Sequence, residues 1–474
     1  MTTLLLRRTL SRKGIPMRIK LDMPMELREI AYSIGVKIPH GFLSEPISFI
    51  ATDSRMVQPG DLYFALGRAN DKESDFTEEA KRRGATVITE KTGEGFISVR
   101  SSASTLGKLA AHYKSKLTNL KNTVLITGSV GKSTTKEFCK TLLSPKYTVH
   151  SNEGNLNNLI GLPISILKAP KSCEILVLEA GMNRPAEISR LSLIAKPDIG
   201  IITNIGTAHI GILGSRENIA KAKLEITDGL KEEGLILYPE AEPLLYETNG
   251  LRIGFSGESC DYSVLPRAVG SSYTDFEFFK DGKRLFEWRL NIGGVHFTEP
   301  LAYAISVSDI LKMSKDEIKT AVSLINSDAL RAKYVELGDF TVLDDSYNAS
   351  AESVIAALAR LSLFKDRGRS ALLGDMLELG RHSGAEHERI GEAAAGAGLN
   401  ALYIYGEYSE YVMHGALRGG MDKNRIFINK DILSPDITAE QITKNHKGGE
   451  IILFKASHAL NLSRICDLLK ERAE

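Results

Sequence analysis

One segment narrows the choice of fold more than any other. Residues 123–136 read TVLITGSVGKSTTK: a β-branched apolar run, a turn bracketed by Gly128 and Gly131, then Lys132 and Ser133 opening a helix-like stretch. Strand, glycine turn and helix in that order expose backbone N–H groups at a helix N-terminus, where the helix also carries positive partial charge. The pattern reads as a phosphate cradle made by Gly128, Ser129, Val130, Gly131, Lys132, Ser133 and Thr134. Lys132 offers a mobile cation to the terminal phosphates, and the Ser133 hydroxyl can hold Mg2+. The loop is short: only Ser129 and Val130 separate its glycines, where the usual phosphate loop has about four residues.

The pattern around this loop is α/β. Apolar runs at 124–126, 175–178 and 199–203 are nearly continuous and alternate with helical stretches. Strands buried on both faces belong to a parallel, doubly wound sheet. Between 252 and 292 the pattern becomes alternating, with Asp281 and Gly282 as a two-residue hairpin turn. That reads as an antiparallel insertion at the edge of the central unit. A further α/β unit, nucleotide-fold-like, has strand candidates at 340–343, 371–373, 401–405, 425–428 and 451–454. Ahead of the phosphate loop, a smaller α/β unit fills 25–120. A chain of 474 residues has room for about three domains, which we set at 25–120, 121–328 and 329–474. The basic, acid-poor start, 1–24, reads as a disordered extension, with Met17 or Met25 opening the folded part.

Composition removes several function classes. The net charge is +1, so no global field draws the chain to nucleic acid or membrane. No apolar run reaches the ~20 residues that span a bilayer. Cys139, Cys173, Cys260 and Cys466 are far apart, without zinc-ligand or disulfide spacing, which fits a reducing cytoplasm.

Three strand ends after the phosphate loop carry candidate groups, at the sheet edge where ligands bind in open α/β folds. Glu179 closes an apolar run and can hold Mg2+ directly or through water; the plain alternative is a turn cap. His209 follows the next strand, where a histidine is more often a packing residue than a ligand. On the following helix Ser215 is the expected N-cap. Ile219, Ala222, Ile226 and Leu230 form its apolar stripe, with Lys223 inside the stripe and Lys221 opposite. A lysine there either snorkels or is desolvated and neutral. A neutral amine can add CO2 to form a carbamate, turning a cation into a metal ligand. Asn155, Asn157 and Asn158 make an amide-rich loop suited to a polar substrate or simply to a turn. Asp345, Tyr347 and Asn348 close a strand of the third unit, and Arg331 precedes it; an arginine there can reach phosphates and an aspartate ribose hydroxyls.

In this order these residues resemble the Mur ligase family over about 47–465. The motifs are TDSR at 52–55 with PGD at 59–61, the short loop at 127–134, GNLNN at 154–158, EAG at 179–181, His209 with Gly214 and Ser215, KAK at 221–223, DDSYN at 344–348 and LGDMLELG at 373–380. The resemblance implies a three-domain architecture: a UDP-substrate domain with Ser54 and Arg55 as contacts, a central P-loop ATPase domain, and a Rossmann-like C-terminal domain bringing Arg331 and Asp345 to the nucleotide. It implies ATP and two Mg2+ sites, one on Glu179 and His209 beside carbamylated Lys223, the other near Ser133. It implies a cytoplasmic, bacterial enzyme of peptidoglycan precursor synthesis, acting as a monomer. The implied reaction activates the carboxylate of UDP-MurNAc-tripeptide as an acyl phosphate, and the amine of D-Ala-D-Ala then attacks it. The implied catalytic groups are Lys132, Glu179, His209 and Lys223.

The chain departs from the family pattern at four places. Residues 67–76 lack the usual glycine–acid–aromatic stretch with its histidine. Gly211 stands where a glutamate follows His209 by two. The run His296, Phe297, Thr298, Glu299, Pro300 replaces a helix start with two asparagines. His458 ends a Lys-Gly-Ser-Arg motif that here reads KASH. These departures touch uridine or muramoyl contacts, adenine binding and dipeptide binding. The alternatives are another Mur-type amino-acid ligase, a folylpolyglutamate-like enzyme, a catalytically degenerate nucleotide-binding paralogue, or an ordinary P-loop kinase or GTPase.

Overall fold

The computed structural model describes residues 17–38, 46–66, 73–254, 260–326 and 332–473. Three sheets follow one another along the chain. The first contains β1 (Arg18–Met25), β2 (Ile47–Ala51), β3 (Leu62–Phe64), β4 (Thr86–Thr89) and β5 (Phe96–Ser98), in that spatial order. β1 is antiparallel to β2 and the rest are parallel. The folded chain therefore starts ahead of Met25. Residues 18–24, expected within a disordered extension, pair with β2, because Ile19 and Leu21 supply alternate buried side chains. Residues 1–16 lie outside the described residues. The helix Ser102–Ser115, capped by Ser101, buries Leu106, Leu109 and Tyr113, and the Tyr113 hydroxyl donates to Ala169 O at 3.0 Å in the next unit.

The central sheet has nine strands. β6 (Asn122–Thr127) lies between β8 (Ile175–Glu179) and β9 (Ile199–Ile202), all parallel, with β7 (Val149–Ser151) outside β8. Val124, Leu125 and Ile126 are fully buried, as continuous apolar strands covered on both faces must be. Beyond β9 come β10 (Leu235–Pro239), β11 (Leu251–Gly254), β12 (Tyr262–Val269), β13 (Thr274–Lys280) and β14 (Lys283–Leu290). The last three are antiparallel and extend the same sheet at its edge. Lys280 pairs with Lys283, and Asp281 (φ 49°) and Gly282 (φ 70°) make the expected two-residue turn.

The third sheet runs in the order β15 (Lys333–Leu337), β16 (Phe340–Asp344), β20 (Ile451–Lys455), β17 (Arg369–Gly374), β18 (Ala401–Tyr405), β19 (Ile426–Asn429). The five expected strands are parallel; β15 adds an antiparallel edge that the sequence reading leaves out. β6, β8 and β9 of the central sheet and β16 and β20 of the third end at one cavity of about 610 Å3 between the two units.

Candidate active site

The phosphate loop forms one wall of that cavity. Gly128 has φ 148°, and a Cβ there would lie 1.9 Å from Thr203 Oγ1, so the turn can pass β9 only as glycine. Asn204 Oδ1 accepts the N–H groups of Ser129 and Val130 at 3.0 and 2.9 Å. Thr203 Oγ1 donates to Val130 O at 2.5 Å. These bonds hold the loop from the neighbouring strand end. Gly131 (φ 83°) precedes the helix Lys132–Leu143, whose first internal bond runs from Thr135 N to Gly131 O. The N–H groups of the opening turn are thus the orphan donors that an anion can satisfy. The Lys132 ammonium folds back onto the carbonyls of Gly128 (2.7 Å) and Ser129 (3.1 Å).

β8 delivers Glu179 beside this helix, 2% exposed. Its carboxylate accepts from Ser133 Oγ at 2.5 Å and from Asn157 Nδ2 at 2.7 Å. Asn152 locks its backbone, accepting its N–H at 2.9 Å and donating to its carbonyl at 3.0 Å. The helix Arg216–Leu224 begins at the Ser215 cap and buries Ile219, Ala222 and Lys223, leaving Lys221 exposed. It ends sooner than the stripe implies: Ile226 falls in a following 3-10 turn and Leu230 beyond it. Burial holds the Lys223 ammonium well below its usual pKa. Lys132 pushes it down further, against the opposing pull of Glu179 and Glu225. That shift favours the neutral amine, the form that can take up CO2.

Among the described residues no three His, Cys, Asp or Glu side chains come together as a metal site. The Ser133 hydroxyl and Glu179 carboxylate are the hard oxygen donors magnesium takes, and a carbamate on Lys223 would add a third. The residues present therefore fit the ion, provided Lys223 becomes an anionic carbamate.

The C-terminal unit forms the facing wall. Asp345, Tyr347 and Asn348 follow β16 and line the cavity. Lys455, at the end of β20 and 4% exposed, pairs with Asp345 Oδ2 at 2.8 Å and donates to the carbonyls of Asp345 and Asn348. Glu352 accepts from Thr207 N and Oγ1, both at 3.1 Å, and Glu378 Oε2 lies 2.6 Å from His209 Nδ1. The His458 ring meets Tyr347 edge-on, 5.8 Å between centroids. At the central unit's end of the cavity, burial lowers His296 to a pKa of about 3 and raises Glu299 to about 7. Asp375 stays out of the cavity: burial raises it to about 6, and it accepts the N–H groups of Glu407 and Tyr408.

Several expected contacts lie elsewhere or are otherwise engaged. Ser54 and Arg55 lie in the first unit, where the UDP end is expected, and not at the cavity: Ser54 is buried and donates to Glu79 at 2.7 Å, and Arg55 pairs with Asp53 at 2.5 Å. Asn157 serves Glu179, Asn158 Oδ1 accepts the N–H groups of Ile160 and Gly161, and the Asn155 carbonyl accepts from Asn157 N. The loop's amides thus do turn and scaffold work. Arg331 lies outside the described residues. Asn152, Asn204, Glu352 and Glu378 are functional neighbours to which the sequence reading assigns no role. Asn204 was within reach of it, one residue past an apolar strand end; the others depend on contacts across long stretches of chain.

Residues 126–307 match the Mur ligase middle domain, and 330–458 the Mur ligase glutamate ligase domain. UDP-N-acetylmuramoyl-tripeptide–D-alanyl-D-alanine ligase of Bacillus subtilis is 32% identical, over 88% of this chain and 92% of its own. The chain belongs to the Mur ligase family. The Rickettsia prowazekii ligase of the same name is 30% identical, covering 93% of this Mur ligase and 98% of its own length. MurF ligase from Thermotoga maritima, solved in complex with ADP, is 30% identical with a TM-score of 0.77, covering 90% and 97% of the two chains. MurF from Acinetobacter baumannii shares the fold at a TM-score of 0.84, with 24% identity and coverage of 96% and 100%. The three-unit α/β architecture of this Mur ligase is that of the solved MurF chains.

Proposed function

We propose that this Mur ligase uses ATP to join D-Ala-D-Ala to UDP-MurNAc-tripeptide in peptidoglycan precursor synthesis, releasing ADP and phosphate. The observation that carries the reading is the cavity itself, with the phosphate loop and Glu179 on one wall and Asp345 and Lys455 on the other. The names of the relatives and the ADP-bound Thermotoga chain support the same substrates.

The chemistry needs two anions to meet. The tripeptide carboxylate attacks the γ-phosphorus of ATP, forming the acyl–phosphate bond and breaking the bond to ADP. The dipeptide amine then adds to the acyl carbon, loses its proton, and the tetrahedral intermediate expels phosphate. In this reading Gly128 to Thr134 hold the phosphates, and Lys132 leaves its own loop carbonyls to neutralise the transferring group. Ser133, Glu179, His209 and carbamylated Lys223 are the residues that would hold magnesium at two sites, and magnesium when bound offsets the charge of the phosphate oxygens. Asp345 binds the nucleotide ribose, with Arg331 near the phosphates. Ser54 and Arg55 hold the UDP end, and Tyr347 and Asn348 the incoming peptide. Closing the C-terminal unit keeps water from the acyl phosphate. Division at 121–328 and 329–474 follows this labour. The enzyme acts as a cytoplasmic monomer; its four buried free cysteines suit a reducing compartment, and no described helix is long and apolar enough to cross a membrane.

The test is ADP formation by the purified protein with UDP-MurNAc-tripeptide, with and without D-Ala-D-Ala. Acceptor-dependent ADP release is expected. Turnover only with a single amino acid, or ATP binding with no acceptor-dependent phosphate release, overturns the reading.

A further inference from the structure

Two residues face each other across the boundary between the central and C-terminal units in a backbone conformation that side chains rarely adopt. His209 has φ 64° and Glu378 φ 67°, and their side chains meet at 2.6 Å. Left-handed non-glycine residues of this kind persist where the surroundings over-determine them, and they gather at functional sites. The surroundings here are specific. Gly211 N donates to Glu378 O at 3.1 Å. A Cβ on Gly211 would lie 2.5 Å from that oxygen and 2.7 Å from Gly380 N, and one on Gly380 would lie 3.1 Å from Gly211 Cα. Two glycines, one from each unit, thus let the two backbones touch.

That contact gives the absence of a side chain at 211 a purpose. An acid at 211 has no space in this arrangement. A carboxylate still reaches the neighbourhood of His209, but it arrives from the other unit. A carboxylate on Nδ1 takes that nitrogen's proton as its hydrogen bond, fixes the ring's rotation and leaves Nε2 as the lone-pair nitrogen. His209 lines the cavity alongside Ser133 and Glu179, and with Nδ1 engaged by Glu378 its free donor atom is Nε2.

We propose that Glu378 is a positioning residue for His209, delivered when the C-terminal unit closes, so that closure itself completes the divalent-cation site. The inference rests on the metal-holding role proposed above for His209. Its consequence is that the open enzyme binds nucleotide but holds the cation loosely, and docking of the 378–380 loop tightens it.

The decisive variant is Glu378→Gly, which removes the carboxylate while supplying the residue that φ 67° favours. Mn2+ binding to the full-length protein is read by electron paramagnetic resonance in the presence of AMP-PNP, a measurement that needs no turnover. Glu378→Gly is expected to weaken Mn2+ binding ~10–100-fold, the usual cost of losing such a partner, with no fall in Tm. Glu378→Gln, which keeps an acceptor oxygen, recovers part of the affinity. Gly211→Ala, which leaves the carboxylate but obstructs docking, weakens binding as Glu378→Gly does, and decides the matter if that variant does not fold. Mn2+ affinity in both variants within about twofold of the unaltered protein overturns the proposal, as does unaltered protein that binds no Mn2+ with AMP-PNP. A protein that binds Mn2+ in this Glu378-dependent way but ligates no acceptor refutes the proposed reaction and leaves the positioning role standing.

Discussion

The phosphate loop and the 378–380 loop look into the same cavity but are held in opposite ways. The phosphate loop is tied within its own unit, by Asn204, Thr203 and the helix it opens. Its neighbours Glu179 and Lys223 are 2% exposed, on a strand and a helix of the same unit. The 378–380 loop meets its target only across a unit boundary, through one backbone bond, two apposed glycines and the pair of half-exposed side chains His209 and Glu378. The first is preorganised before any ligand arrives; the second forms only when two bodies dock. The difference teaches where such an enzyme keeps its affinity and where it keeps its control. Charge complementarity that must exist beforehand is built into a core, and the contact that has to be made and broken is small and polar.

The contrast makes measurable claims. If the central wall is preorganised, Lys132→Ala removes chemistry without unfolding anything, because the ammonium rests on its own loop. ADP release in a coupled assay should fall ~1000-fold or more, with Tm by calorimetry within a degree or two. A parallel loss of stability would show the loop to be held by its lysine instead. Lys223→Ala should cost about 100–1000-fold in turnover, with partial recovery in acetate or propionate, whose carboxylate can enter the vacated space. Full activity of that variant in plain buffer would refute the carbamate.

On the other wall Lys455→Met should strike stability first, since it leaves Asp345 and two loop carbonyls without their buried cation. Removing one partner of such a pair costs about 3 kcal/mol, read by urea unfolding of the whole chain. A smaller loss, under about 1 kcal/mol, would mean that the C-terminal wall is as loosely held as the 378–380 loop.

The smallest effect concerns Glu299, whose carboxyl burial raises to a pKa of about 7 from an ordinary 4.5. The folded protein then holds this proton more tightly than the unfolded chain. Stability from this group is complete below about pH 4.5 and is lost as pH rises towards 7. Glu299→Gln should therefore stabilise the nucleotide-free protein at pH 8, by at most about 3 kcal/mol, seen as a raised Tm, and leave the Tm unchanged at pH 4. Equal stabilisation at both pH values would show that the carboxyl does not ionise there.

How much of this could be read in advance follows the same divide. The phosphate loop, the strand ends at Glu179 and His209, the Asp281–Gly282 turn and the burial of Lys223 all express short-range rules: a glycine turn before a helix, a period of 3.6, a two-residue hairpin. Asn157 is legible as a polar loop residue, but its bond to Glu179, 22 positions away, is not. Glu378 sits in a recognisable motif, but its target is 169 positions away.

The chain by itself determined that an α/β protein would present a phosphate cradle at the head of a helix, because backbone conformation and amphipathic pattern are written over a few consecutive residues. Tertiary structure alone decided which strand ends meet, that Asn152 locks Glu179, and that the acid beside His209 comes from another unit. Those outcomes depend on how separately folded sheets dock, and docking is governed by the shapes of surfaces that exist only after folding.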